Sequence, residues 1–238
     1  MFHLSEPEDT RQHEWYVPSF GPQRFRLFLG MSFFPYTMMN ACYVLVGSLI
    51  APSVDIYRMA GMAVVYLLAV GVSAHSLDAM APNRPWGGFL SRNQLMVLAL
   101  GGLIPACTIG LYYAFTAALL LLPIGAMELF FLLCYNLELL GGRFHTDFWF
   151  AFSWGFLPVL AGYAVQTDAL SLASIAAGLF GFFTAYVEIN ASRPYKALKR
   201  EPGGRDSSLA ARLEAILKGV VASVLVTALF LLLRLTLG

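Results

Sequence analysis

Seven apolar runs, each close to the length that crosses a bilayer as a helix, constrain this chain more than any other feature. A run of about 20 apolar residues has little choice of backbone. Hydrocarbon offers no hydrogen-bond partners, so every N–H and C=O must be satisfied inside the segment, as an α-helix does. The runs cover about 27–50, 57–74, 94–113, 117–140, 148–163, 169–189 and 215–236. They are continuous rather than alternating, which argues against a membrane β-barrel. The expected fold is all-α: a polytopic membrane bundle of about seven transmembrane helices. Residues 1–25 form a polar N-terminal segment and 26–238 a single transmembrane domain. Composition agrees, with 12% charged residues against roughly 25% in soluble domains.

Lys and Arg set the expected orientation. Thirteen of the fifteen fall on one side: Arg11, Arg24 and Arg26; Arg84 and Arg92; Arg143; and the seven from Arg193 to Lys218 between spans six and seven. Only Arg58 and Arg234 lie on the other. By the positive-inside rule the N-terminus is cytoplasmic and the C-terminus lies on the opposite side. The first twenty residues lack the basic start and apolar core of a signal peptide, so the first membrane helix is expected to stay in the mature protein. Cys42, Cys107 and Cys134 lie inside apolar runs without metal-ligand spacing and read as free thiols. No nucleic-acid partner is expected.

The polar residues that break this pattern gather on the cytoplasmic side. Spans two, four and six end at Asp78, Glu138 and Glu188, joined by His75, His145 and Asp147. Acids at a membrane face are expensive and are often functional or paired. Carboxylates with imidazoles suit a hard cation such as Mg²⁺, giving Asp78, Glu138, Asp147 and Glu188 as candidate metal ligands. Arg84, Arg143, Arg193 and Lys196 suit an anionic head group. Glu128 stands apart, deep in span four on one stripe with Phe131, Tyr135 and Glu138. In span one, Ser32, Tyr36, Asn40 and Tyr43 recur at helical spacing and mark a face toward the bundle interior, with a kink expected at Pro35.

At these residues the chain resembles the UbiA superfamily of intramembrane prenyltransferases. Members carry N-D-x-x-D-x-x-x-D at the end of the second helix, then R-P, a glycine and S-x-x-Q-like residues. Here AHSLD (74–78) stands at that motif and NRPWGGFLSRNQ (83–94) reads like the loop that follows. His75 replaces the first Asp, Asp78 matches the second, and Pro82 occupies or displaces the third. YNLE (135–138), the following helix with FAFSWGFLPVLAGYAV (150–165), and Arg26 with Pro35 also fit. Where the second aspartate motif should end the sixth helix, YVEINASRPYKALKR offers Glu188 and no Asp. The resemblance covers about residues 25–200, and the chain is about two spans shorter than the usual nine-helix member.

The resemblance implies transfer of a prenyl group from a prenyl diphosphate to a lipophilic acceptor at the cytoplasmic face, with Mg²⁺ as cofactor. Asp78, Glu138, Glu188, Glu128 and Tyr135 are the candidate catalytic residues. His75, Arg84, Asn136, Arg143, His145, Arg193, Lys196, Tyr36 and Asn40 are the candidate substrate-binding residues. Two alternatives remain open: a terpene cyclase on the same fold, and a non-catalytic lipid-binding or partner protein that has lost the aspartate motifs. A transporter is disfavoured because no inverted repeat is visible.

Overall fold

The structure is a computed structural model and describes residues 14–80, 90–201, 204 and 207–237. Eight helices carry the described chain: α1 (Gln23–Met31), α2 (Phe34–Leu49), α3 (Ile56–Asp78), α4 (Arg92–Thr116), α5 (Leu121–Asn136), α6 (Asp147–Thr167), α7 (Leu172–Arg200) and α8 (Ser208–Leu237). Counting α1 and α2 as one span, six are long and apolar enough to cross a membrane. This is the architecture of a multi-pass helical membrane protein. At 16 residues, α5 is about 24 Å long, short of the roughly 30 Å hydrocarbon core.

The break between α1 and α2 has a local cause. Pro35 lies in the first turn of α2, where its missing N–H costs nothing. The expected kink is therefore a full break, with Phe33 in the left-handed region at φ 45°. The Thr37 hydroxyl donates to the Ser32 carbonyl at 2.8 Å and repairs part of the interrupted ladder.

Burial ranks the helices. Of the most apolar window, 67% is buried in the first span and 72% in α6, against 22% in α4 and in α8. Thus α2 and α6 form the centre, and α4 and α8 present Val97, Ile104, Phe115, Val226 and Phe230 outward as a lipid-facing surface would. Backbone contact between α2 and α6 depends on glycine. A Cβ on Gly162 would strike the Val44 carbonyl, and one on Gly47 would strike the Val159 carbonyl. Ser48 Oγ donates to the Gly162 carbonyl across the same crossing, at 2.8 Å.

Residues 14–18 do not stand apart from the bundle as a purely polar segment would. Trp15 N–H donates to Tyr195 Oη (2.9 Å), its indole N–H donates to Tyr36 Oη (3.0 Å), and Arg26 Nε holds the Pro18 carbonyl at 2.7 Å. Glu14 is only 2% exposed. The aromatic body of Trp15 explains the docking, since it buries apolar area while its N–H finds a partner.

Candidate functional site

Two turns of α3 and α6 wind more widely than an α-helix: Ala69–Ala74 and Phe152–Phe156 are π turns. Such turns rotate the helix beyond them and are common beside functional sites. Ala69, Val70 and Ala74 from the first, with Ser153 and Trp154 from the second, line one apolar cavity of about 330 Å³. Met62, Val65 and Tyr66 of α3 and Ala161 of α6 extend these two walls, and α4 and α5 supply the rest. The volume lies at the small end of ligand pockets.

Along α5, Glu128, Phe131 and Tyr135 recur at i, i+3 and i+7 and all face this chamber. Tyr66 of α3 donates its hydroxyl to Glu128 Oε1 at 2.8 Å. Asn136 also lines the chamber; its amide donates back to the Leu132 carbonyl at 2.7 Å. Glu128 is therefore not part of the charged face but a polar pair member set in an apolar wall.

Glu138 leaves the stripe altogether. The Leu139 N–H bonds to the Cys134 carbonyl and the Glu138 N–H to the Tyr135 carbonyl, with Glu138 itself at φ 50°. That is a Schellman motif with Glu138 in the left-handed position usually given to glycine. The helix stops at Asn136, short of the 117–140 run read from the sequence, and Glu138 is exposed.

At the end of the bundle where α5 closes, His145 stacks on Tyr135, with centroids 4.3 Å apart. Its Nδ1 lies 3.0 Å from the Tyr135 carbonyl, which can only accept, so Nδ1–H donates. Arg193 pairs with Asp147 at 3.0 Å. Tyr135 lies within electrostatic reach of Arg193, Glu188 and Asp78. Glu188 is 4% exposed and within reach of Lys196, Arg193 and Glu14. The Lys196 ammonium sits 4.9 Å over the Phe33 ring, which also lies 4.6 Å from the His75 ring and 5.6 Å from the Tyr16 ring.

His75 is tied inward. Its Nε2 lies 3.1 Å from Thr37 Oγ1, whose single proton goes to the Ser32 carbonyl, so Nε2–H is the donor. Trp154 stands 5.8 Å from the His75 ring, and its carbonyl accepts from Asn40 Nδ2 at 2.8 Å.

The structure thus brings together Asp78, Tyr135, His145, Asp147, Glu188, Arg193 and Lys196. Tyr36, Asn40 and His75 follow on the adjoining face of α2 and α3. Arg143 is exposed, and Arg84 with Pro82 lies outside the described residues. Tyr66, Phe33 and Thr37 were not singled out from sequence. Tyr66 alone had a legible signal, as a mid-span phenol able to meet a mid-span acid.

The proposed Mg²⁺ ligands do not converge. Among the described residues no three His, Cys, Asp or Glu side chains are placed to hold a metal ion. Asp147 is engaged by Arg193 and Glu138 sits on an exposed turn. As placed among the described residues, the four acids do not fit a Mg²⁺ cage.

No model of a known protein family, no curated protein and no solved structure matches the chain. The likeness to the UbiA superfamily rests on the sequence motifs.

Proposed function

We propose that this protein is a UbiA-like intramembrane enzyme of isoprenoid lipids, transferring a prenyl group from a prenyl diphosphate to a lipophilic acceptor. The apolar chamber between α3, α4, α5 and α6 carries this reading, because it offers an alkyl or prenyl chain a dry path beside a charged face. The chain would occupy the chamber, and the diphosphate would lie at the end marked by Tyr135, Arg193 and Lys196. By the positive-inside rule that end is cytoplasmic, with the N-terminus on the same side and seven crossings in all.

Lys196 rests on the Phe33 ring, within electrostatic reach of Glu188 but in no close ion pair among the described residues, which leaves its ammonium able to take an anionic group. As the C–O bond to the diphosphate breaks, negative charge grows on the leaving group, and a fixed ammonium there favours the transition state. The allylic cation would then alkylate the acceptor, and the proton the acceptor gives up would pass to the departed diphosphate. A second reading, lipid binding without chemistry, draws support from the dispersed carboxylates.

Diphosphate release in lipid nanodiscs, with a panel of prenyl diphosphates and with or without Mg²⁺, separates the two. Release is expected, reduced about 10-fold or more by Lys196→Ala and by Asp78→Asn. Tight binding with no release would favour the lipid carrier. A failure to bind any prenyl diphosphate would remove the reading.

A further inference from the structure

Glu128 is a candidate catalytic residue from sequence, yet diphosphate departure at the charged end gives its pair with Tyr66 no role: the pair sits on the chamber wall away from that end. A carboxyl group in such a wall is costly unless it is compensated or used. Here one oxygen accepts from Tyr66, and the other has no hydrogen-bond partner among the described residues.

The surroundings match one chemistry. Phe131 lies one turn along α5 and Tyr135 two turns, with Trp154 across the chamber on α6. Aromatic faces attract a cation through their quadrupole. The Tyr66 hydroxyl donates to the carboxyl oxygen, which strengthens when that oxygen bears charge. An acid, a donor that steadies its conjugate base, and π faces for a carbocation are the parts needed to protonate an alkene.

We propose that Glu128 is a catalytic acid that protonates a carbon–carbon double bond of an unsaturated isoprenoid chain lying in the chamber, with Tyr66 as its positioning residue. The carboxyl O–H breaks, a C–H bond forms from the alkene π pair, and a tertiary carbocation remains against the aromatic wall. Loss of a proton from a neighbouring carbon to the Glu128 carboxylate restores the acid and leaves an isomerised or cyclised chain. No oxidant or reductant is consumed. This inference rests on the chamber holding an isoprenoid chain and not on diphosphate departure.

The test uses the full chain in nanodiscs prepared in D₂O, with radiolabelled geranylgeraniol and squalene as probes. Binding is measured first, then deuterium on carbon in the recovered probe. The wild type is expected to bind and to place deuterium at or beside a double bond. Glu128→Gln keeps an acceptor for Tyr66; it should bind equally and lose exchange about 100-fold or more. Tyr66→Phe should lower the exchange rate about 10-fold at saturating probe without weakening binding, a split that a packing defect would not give. Binding without deuterium in the wild type, or undiminished exchange in Glu128→Gln, overturns the proposal. No binding of either probe removes the chamber reading and this inference with it.

Discussion

Replacing Gly162 by Val should leave a chain that no longer forms the bundle. A Cβ at 162 would lie 2.9 Å from the Val44 carbonyl carbon and 3.0 Å from its Cα, besides striking the oxygen. These are backbone atoms of α2, so no rotamer change relieves the clash. The opposite position is as tight: a Cβ on Gly47 would be 2.8 Å from the Val159 carbonyl carbon and 3.0 Å from the Tyr163 nitrogen. Lipid supplies no hydrophobic force to push helices together, so close backbone approach at small residues is the main source of cohesion. Separating α2 from α6 would also break the Ser48–Gly162 hydrogen bond. The expected loss is about 3 kcal/mol or more, at the upper end of overpacking effects. Thermal unfolding in detergent would read it, and a wild-type midpoint for Gly162→Val would refute the role given to this crossing.

The second large effect is the opposite in kind. Gly110→Leu combined with Gly125→Leu should abolish binding of a prenyl chain while leaving the fold intact. Both glycines line the chamber, and a Cβ on either meets nothing within 4 Å. The added side chains therefore have room and occupy volume that a ligand would need. Leucine is also a better helix former than glycine by about 0.5–1 kcal/mol per site, so the unfolding midpoint should hold or rise. Binding of a radiolabelled prenyl diphosphate should fall about 10-fold or more, since an occupied cavity forfeits the burial that drives association. Undiminished binding by a stable double variant would place the ligand elsewhere and remove the carrying observation for the proposed function.

Glu128, Phe131 and Tyr135 show how much of the site was legible beforehand. Their i, i+3, i+7 spacing put them on one face before any coordinates, and the structure keeps them there along the chamber. Glu138 shows where that reasoning fails. Helical periodicity extends a stripe only while the helix continues, and the Schellman closure after Asn136 turns Glu138 outward into solvent. Nothing in the local sequence announced a left-handed conformation at a glutamate, because glycine is the usual occupant. Pro35 lies between these cases. Its disturbance of the first span was legible, but the break at Phe33 and the repair by Thr37 needed neighbours in space.

The sequence by itself determined an all-helical chain with spans long enough for a bilayer, because unsatisfied backbone groups in hydrocarbon allow little else. It also determined which termini of those spans carry charge. Tertiary structure alone decided that two π turns face one chamber, that Tyr66 meets Glu128, and that Asp147 pairs with Arg193 instead of joining a metal cage. Those outcomes depend on how one helix is rotated against the next. That rotation is set by close contacts such as Gly47 and Gly162 with the partner backbone, which link positions more than a hundred residues apart and leave no periodic trace in the sequence.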